Sequence, residues 1–164
     1  MEVRKTTPQD LPRILEIYGH AREQMRRTGN PTQWGDSYPA RETLEDDIQR
    51  GVSYVLEEGG DLAGVFMFTL GDDPTYQLIE EGAWLNDGPY GTIHRLASGG
   101  TAPGVFRACA RFCETLAPNL RADTHADNLI MQHLLESWGF RRCGRIYAED
   151  GTPRIAYLKP VRPY

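Results

Sequence analysis

Residues 90–106 read YGTIHRLASGGTAPGVF and join an apolar segment to a glycine-rich one. Residues 90–97 predict a strand, because aromatic and β-branched side chains recur in them. Residues 98–100 predict a turn, and a helix is expected over about residues 102–116, where Pro118 stops it. A strand that enters a helix through a glycine-rich turn presents backbone N–H groups and the positive end of the helix dipole to an anion. The stretch therefore predicts an anion-binding loop, although its glycines are equally compatible with a tight turn alone.

A second informative stretch, residues 123–140, reads DTHADNLIMQHLLESWGF. A short strand is predicted over residues 120–124, and a helix follows it over residues 128–138. Asn128 opens that helix as its cap, and Gly139 ends it in the left-handed conformation. A second strand–helix unit therefore follows the first.

The rest of the chain is predicted from hydrophobic periodicity and from turn residues. Strands are expected over residues 2–6, 52–57, 62–70, 140–147 and 154–158, and helices over residues 8–28 and 40–50. Residues 71–89 have weak periodicity and are expected to form an insertion over one edge of the sheet. The element order predicts an α+β fold with a mixed, mostly antiparallel sheet of seven strands and flanking helices.

The composition is that of an ordinary globular chain. Its 164 residues are 40% apolar and 25% charged, which predicts a single domain over residues 1–164. The net charge of −5 lacks the basic footprint of a nucleic-acid-binding protein. No apolar run approaches the roughly 20 residues that a membrane-spanning helix needs. We therefore expect neither nucleic acid nor a membrane as a partner.

Cysteine and histidine bear on the compartment and on metal binding. The cysteines are an odd number and no secretory apolar segment opens the chain, so reduced thiols in the cytoplasm are expected. These cysteines are Cys109, Cys113 and Cys143. The histidine spacings match no recognised zinc site, so no metal is expected.

The element order resembles that of the GNAT superfamily of acetyl-CoA-dependent N-acetyltransferases over nearly the whole chain. Residues 90–98 resemble the central strand of that family, and residues 123–140, with Asn128 and the Gly139-Phe140 pair, resemble its strand–helix unit. The resemblance implies a sheet that is splayed between the fourth and fifth strands, with the pantetheine arm of acetyl-CoA in the gap. It implies an acyltransferase that moves an acetyl group from acetyl-CoA to an amine of a small molecule or protein, by direct transfer in a ternary complex. Dimers are common in the family, so a homodimer is a candidate assembly.

The resemblance assigns cofactor contacts to the end of the central strand and to the loop after it. The usual loop has Gln or Arg, two residues, Gly, one residue, and then Gly or Ala; only Gly104 matches it. Pro103 has no N–H to offer a phosphate, and Phe106 places bulk where a close backbone approach is expected. An anion site is still expected from the backbone after the loop glycine. The implied cofactor-binding residues are Leu96, Ala97, Ser98, Thr101, Gly104, Val105, Phe106, Arg107 and Asn128.

Catalytic roles follow from the same resemblance. A backbone N–H near a bulge in the central strand, at Leu96 or Ala97, is expected to stabilise the developing oxyanion. His94 is a chemically suitable general base, because histidine as a residue type can take up a proton near neutral pH. The alternative is a histidine that only hydrogen-bonds within the sheet. Family members often place a Tyr acid where this chain has Leu135, so Tyr147 or water is expected to protonate the leaving thiolate.

Four aromatic side chains are candidates for the walls of an acceptor pocket, although aromatics in these segments can equally anchor loops to the core. They are Trp34, Tyr38, Trp84 and Tyr90. The altered loop and the Leu at position 135 keep a second function open. In that alternative the chain is a non-catalytic GNAT-like module that binds a ligand or partner through the same cleft.

Overall fold

The computed structural model describes all residues from Met1 to Tyr164. The helices are α1 (Leu11–Arg27), α2 (Arg41–Gln49), α3 (Val105–Glu114) and α4 (Leu129–Ser137). The strands are β1 (Glu2–Lys5), β2 (Ser53–Glu58), β3 (Asp61–Leu70), β4 (Gly91–Ser98), β5 (Asn119–Thr124), β6 (Arg141–Tyr147) and β7 (Pro153–Pro160). Short 3-10 helices occupy Pro8–Asp10 and Pro74–Tyr76.

The seven strands form one sheet in the order β1-β2-β3-β4-β5-β7-β6. The β1–β2, β2–β3, β5–β7 and β6–β7 pairs are antiparallel. β4 and β5 run parallel, and Gly91 pairs with Leu120 while Thr92 pairs with Arg121. This confirms the predicted α+β fold with a mostly antiparallel sheet, and the parallel pair matches the expected splay between the fourth and fifth strands.

The chain forms two compact units, and the first comprises residues 1–68 and 94–112. The apolar face of α1 enters its core through Ile14, Ile17 and Tyr18, because residues three and four apart share one helix face. Gly64 allows β3 and the start of α3 to approach closely. A Cβ at this position would lie 2.7 Å from Cγ1 of Val105, so a larger residue would push α3 away.

The second unit comprises residues 69–93 and 113–164. The predicted insertion lies in it and covers the edge of the sheet at β6, as expected. Glu80 forms an antiparallel bridge with Arg145, with N–O distances of 2.9 and 2.8 Å. Gly144 permits this contact, because a Cβ there would lie 2.5 Å from the carbonyl oxygen of Glu80. Pairing protects an edge strand that would otherwise expose its N–H and C=O groups.

α3 begins three residues later than predicted. Pro103 restricts Ala102 to extended backbone, and Gly104 has a left-handed φ of 86°. The helix can therefore start only at Val105, and the carbonyl oxygen of Gly104 accepts the hydrogen bond from the N–H of Ala108.

Three observations concern cysteines, metal ions and membranes. The three cysteines are buried and free. No group of three or more His, Cys, Asp and Glu side chains is arranged to hold a metal ion. None of the helices combines the length and apolar character that crossing a membrane requires.

Candidate functional site

A cavity of about 640 Å³ lies at the N-terminus of α3, beside the loop that the sequence singled out. Thr101, Gly104 and Arg107 line it, as does Arg111, which lies one helical turn after Arg107. The cavity therefore combines two arginines with the positive end of a helix dipole, and the carboxylate of Glu58, which also lines it, pairs with the N-terminal amine of Met1 at 3.1 Å. Sequence reasoning named Arg107 and missed Arg111, although the i, i+4 spacing of the two arginines places them on one face.

The residues of this cavity fit a phosphate group. The first-turn N–H groups of α3, which begin at Val105, have no partners inside the helix. Gly104 is exposed and no atom lies within 4 Å of a Cβ built on it, so the approach to the loop is open. Phe106 is half-buried and does not line the cavity. Its bulk therefore leaves the space free, whereas Pro103 lines the cavity without offering an N–H.

Arg95 gives β4 an unusual backbone conformation directly before Leu96, near the position where the resemblance implies a bulge. The φ of Arg95 is 54°, in the left-handed region that non-glycine residues rarely adopt. Such a conformation persists only where the surroundings hold it in place. Here the Tyr18 hydroxyl donates a 2.6 Å hydrogen bond to the Arg95 carbonyl oxygen. The N–H of Leu96 follows directly after this turn of the strand.

The side chain of Arg95 is held equally firmly. Its Nε and Nη2 atoms donate to the two carboxylate oxygens of Asp47 at 3.0 and 2.8 Å, and Nη1 donates to the Tyr38 hydroxyl at 3.1 Å. The side chains of Asp47 and Arg95 are only 4% and 13% exposed. Burial acts against the charge of Arg95, but Tyr38 and Asp47 together outweigh it and raise the pKa of Arg95. Burial also raises the pKa of Tyr18, so its hydroxyl stays protonated and remains a donor.

Sequence reasoning missed this network. Neither Arg95 nor Asp47 was assigned a role from the sequence. A signal was present: Leu44, Asp47 and Ile48 share one helical face of α2, and the first and last of these pack in the core. An acidic residue on an apolar helix face requires a buried partner, and an arginine within a predicted strand is a suitable one.

The predicted cofactor-binding residues of β4 flank the irregularity on its C-terminal side. Leu96 is half-buried and Ala97 is buried, while Ser98 is exposed and its Oγ accepts a 3.2 Å hydrogen bond from the N–H of Gly100. His94 is half-buried in the same strand, directly before Arg95. The roles that the sequence assigned to these residues remain predictions.

The four predicted acceptor-pocket aromatics fall into two groups. In the first unit, Trp34 contacts the ring of Tyr18 with centroids 5.7 Å apart and the ring of Tyr38 with centroids 6.0 Å apart. The tyrosine hydroxyls at both ends of this aromatic row bond to Arg95. Trp34 and Tyr38, the two predicted aromatics of this unit, therefore belong to the network of contacts around Arg95 of β4.

In the second unit, Trp84 and Tyr90 enclose the guanidinium of Arg121. The Cζ atom of Arg121 lies 3.9 Å from the Trp84 ring centroid and 3.8 Å from that of Tyr90. These three residues line a second cavity, of about 750 Å³. The sequence predicted both aromatic residues but gave no reason to place an arginine between them.

The predicted residue Asn128 and the neighbouring His125 have structural roles that their hydrogen bonds define. Oδ1 of Asn128 accepts a 3.0 Å hydrogen bond from the N–H of Met131, so Asn128 caps α4 as predicted. Nδ1 of His125 accepts a 2.9 Å hydrogen bond from the N–H of Asp127, which fixes the preceding loop. Tyr147 is half-buried at the end of β6, and Leu135 is buried in α4. The catalytic role of Tyr147 remains a prediction.

Comparison with known proteins shows to which protein family this chain is similar. Residues 1–141 match the family model described as an acetyltransferase (GNAT) domain. None of the curated proteins is similar enough in sequence to match. A GNAT-family acetyltransferase from Streptococcus agalactiae 2603 is 32% identical, with a TM-score of 0.88, and the alignment covers 97% of this chain and 94% of that one.

More distant structures share the fold. A protein from Salmonella typhimurium, described as an acetyltransferase with its cofactor acetyl-CoA, is 15% identical with a TM-score of 0.65, over 99% of this chain and 95% of that one. A ribosomal-protein-alanine N-acetyltransferase from Brucella melitensis is 19% identical with a TM-score of 0.62, over 98% and 99% of the two chains. With a family model that spans residues 1–141 and a relative that is 32% identical over almost its full length, this chain belongs to the GNAT family of acetyltransferases.

Proposed function

We propose that this acetyltransferase is an N-acetyltransferase, which moves an acetyl group from acetyl-CoA to an amine of a small molecule or protein. The observation that carries the proposal is the cavity at the N-terminus of α3, where Arg107 and Arg111 lie beside an open glycine loop. The family uses acetyl-CoA, and this cavity has the charge and the backbone donors that a diphosphate needs. We propose one catalytic domain over residues 1–164, active in the cytoplasm, where thiols such as its three free cysteines stay reduced.

In this proposal, both arginine side chains and backbone N–H groups bind the cofactor. Arg107 and Arg111 bind phosphate oxygens with their guanidinium groups, and Thr101 and Gly104 shape the loop. Val105 and Phe106 contribute their backbone N–H groups. Leu96, Ala97 and Ser98 contact the pantetheine arm, and Asn128 contacts it in addition to capping α4. Acetyl-CoA supplies the acetyl group as an activated thioester.

The chemistry of this chain centres on the left-handed residue of β4. The N–H of Leu96 donates a hydrogen bond to the carbonyl oxygen of the thioester, where negative charge develops during transfer. His94 accepts the proton that the attacking amine releases. Tyr147 donates a proton to the departing thiolate. The Tyr18 and Asp47 contacts to Arg95 hold the strand so that the Leu96 donor is positioned before reaction.

The acceptor side of the proposal rests on aromatic residues. Trp34 and Tyr38 form one wall, and their contacts to Tyr18 and Arg95 keep them rigid. Trp84 and Tyr90 remain acceptor candidates within the second unit, where their rings also contact the guanidinium of Arg121. Aromatic side chains of this kind pack against the carbon skeleton of an amine and stabilise ammonium groups through their ring faces.

Calorimetric titration with acetyl-CoA and with CoA tests the proposal first. We expect one site per chain with a dissociation constant of about micromolar order, where ΔG is about −8 kcal/mol. A panel of amines then tests transfer, with thiol release as the readout. His94→Ala should lower turnover and leave acetyl-CoA affinity unchanged. Absence of binding at roughly millimolar cofactor would contradict the proposal and favour the non-catalytic module.

A further inference from the structure

Arg121 of β5 is a buried cation in an unusual environment. It is only 5% exposed, and the rings of Trp84 and Tyr90 cover the two sides of its guanidinium within 4 Å. Stacking of this kind satisfies the faces of a planar cation. Stacking supplies no acceptor for the five N–H donors, which lie in the plane of the group and point outward from its edge.

The edge donors of Arg121 are poorly satisfied by the protein. Nη2 approaches the carbonyl oxygen of Asn86 at 3.5 Å, the outer limit of a hydrogen bond. Nε is buried without any hydrogen-bond partner, and no acidic side chain forms an ion pair with the group. Burial lowers the pKa of Arg121. A buried charge with unmet donors is costly to the fold, which points to an anion that completes the site.

The space for that anion is the second cavity. Its volume of about 750 Å³ falls within the range of small-molecule sites. Arg121 lines it together with aromatic and apolar residues, among them Trp84, Tyr90, Leu116 and Pro118. A deep cationic group with apolar walls suits a ligand that has one anionic end and a carbon body.

The charged side chains that line the cavity determine which anionic ligands it favours. Asp72 and Asp87 also line it and are exposed, whereas Arg121 is buried. Two carboxylates against one guanidinium disfavour a dianion such as a phosphate monoester more than a monoanion. A carboxylate also matches the guanidinium edge, where two parallel N–H donors bind two oxygens.

We infer that this cavity binds a small monocarboxylate with an aromatic or aliphatic body, whose carboxylate hydrogen-bonds the edge of Arg121 between Trp84 and Tyr90. The site shares no lining residue with the cavity at the start of α3. The inference does not need acetyl transfer, although Trp84 and Tyr90 are also acceptor-side candidates of the proposed function. It rests on the poorly paired guanidinium of Arg121, on the two rings that cover it and on the cavity that it lines.

The indole N–H of Trp84 reports on this site. It donates a 3.1 Å hydrogen bond to the carbonyl oxygen of Tyr76, and the chain has only three tryptophans. With ¹⁵N-labelled tryptophan and Trp84→Phe for assignment, NMR titration of the wild-type protein with benzoate should shift the Trp84 signal saturably. We expect a dissociation constant of about millimolar order, as for other fragments of this size.

Neutral and dianionic analogues decide whether charge recognition is real. Benzamide, with the shape of benzoate and no charge, should bind at least about tenfold more weakly, because charge-assisted hydrogen bonds are the strong ones. Phenyl phosphate should also bind more weakly than benzoate. Equal binding of benzamide, tighter binding of phenyl phosphate, or no saturable shift by about 50 mM benzoate would overturn the inference. These titrations are made on the wild-type protein, and Trp84→Phe serves only to assign the signal.

Variants localise the effect. Arg121→Gln should abolish the benzoate-induced shift at Trp84. Arg142→Gln is the matched control, because Arg142 is an exposed arginine whose Cζ lies 5.9 Å from the Tyr157 ring, and it should leave benzoate binding unchanged. Full benzoate affinity in a folded Arg121→Gln variant would refute the assignment. Acetyl-CoA titration of the same samples separates this result from the proposed transferase function.

Discussion

The hydroxyl of Tyr18 donates a 2.6 Å hydrogen bond to the backbone carbonyl oxygen of Arg95, the residue at which φ is 54°. This bond ties the buried face of α1 to the one left-handed residue of the central strand. Because the peptide unit that carries this carbonyl also carries the N–H of Leu96, fixing one end of the unit fixes the direction of the other. A helix side chain thereby controls the orientation of the proposed oxyanion donor.

Tyr18→Phe should lower kcat and leave the KM for acetyl-CoA unchanged. The variant removes only the hydroxyl, so the carbonyl oxygen of Arg95 loses its partner and the peptide unit gains freedom. We expect kcat to fall about tenfold, since small displacements of a catalytic group are costly. Unfolding free energy should fall by about 1–3 kcal/mol, the cost of an unsatisfied buried group.

Steady-state kinetics and urea denaturation of this variant separate positioning from stability. Tyr164→Phe is the matched control, because Tyr164 is 70% exposed and should tolerate the change in both measurements. A Tyr18→Phe enzyme that is destabilised but has wild-type kcat would show that the bond has a structural role only.

Asp47→Asn should strongly destabilise the protein. The substitution leaves the Arg95 guanidinium buried without its carboxylate, and breaking a buried pair from one side costs about 3 kcal/mol or more. Asp46→Asn provides the control, because Asp46 pairs with Arg50 at 3.2 Å on the exposed side of the same helix. Surface substitutions of that kind stay within about 0.5 kcal/mol. Equal effects of the two changes in urea denaturation would mean that burial adds nothing to the Asp47 pair.

The sequence predicted the elements well where periodicity and turn residues were both strong. Each of the seven strands and four helices has a counterpart in the structure. Two helices begin three residues later than predicted: a 3-10 helix occupies Pro8–Asp10 before α1, and α3, placed near Ala102 after the glycine-rich turn, begins at Val105. The restriction that Pro103 places on the preceding residue, together with the left-handed Gly104, was a readable signal for the later start.

The site was less predictable, because its parts come from segments far apart in the chain. The loop residue Gly104 and the row of Trp34 and Tyr38 could be named from the sequence. The bidentate contact of Asp47 and Arg95 could not, since it joins residues 48 positions apart. The cation between Trp84 and Tyr90 was hidden for the same reason, because Arg121 belongs to a strand whose partners only the fold reveals.

Arg107→Gln should weaken binding of acetyl-CoA and of CoA. The guanidinium lines the cavity at the start of α3, and the loss of one charge-assisted contact to phosphate should reduce affinity about tenfold. Added salt should weaken wild-type binding more than variant binding, because screening acts on the contact that the variant lacks.

Calorimetry at low and high salt checks this prediction. Arg27→Gln is the control, since Arg27 is an exposed arginine of α1 paired with Glu23 at 3.0 Å. Loss of affinity in both variants would point to the net charge of the protein, and unchanged affinity in Arg107→Gln would remove Arg107 from the proposed cofactor site.

Asp10→Asn should lower the free energy of unfolding at neutral pH. The substitution should have a smaller effect on that free energy in acid. The carboxylate of Asp10 accepts hydrogen bonds from Nη1 and Nη2 of Arg4 at 2.8 and 3.0 Å and from the N–H of Thr7 at 2.8 Å. The Arg4 hydrogen bond is the main cause that lowers the pKa of Asp10 below its ordinary value. The unfolded chain therefore binds more protons than the folded chain in acid, so stability rises with pH in that range.

The contribution of Asp10 is complete above the unfolded-state pKa of about 3.9 and is lost as pH falls through the lower folded-state value. At pH 7 the variant should lose about 1 kcal/mol, the usual worth of a helix cap with a surface ion pair. Urea denaturation at neutral pH and near pH 3 should show the difference between variant and wild type shrinking in acid. Asp36→Asn, at a residue whose side chain is 93% exposed and paired with Arg26, should show no such convergence. A constant difference for Asp10→Asn at both pH values would mean that its negative charge does not stabilise the contacts to Arg4 and Thr7 at the 3-10 helix before α1.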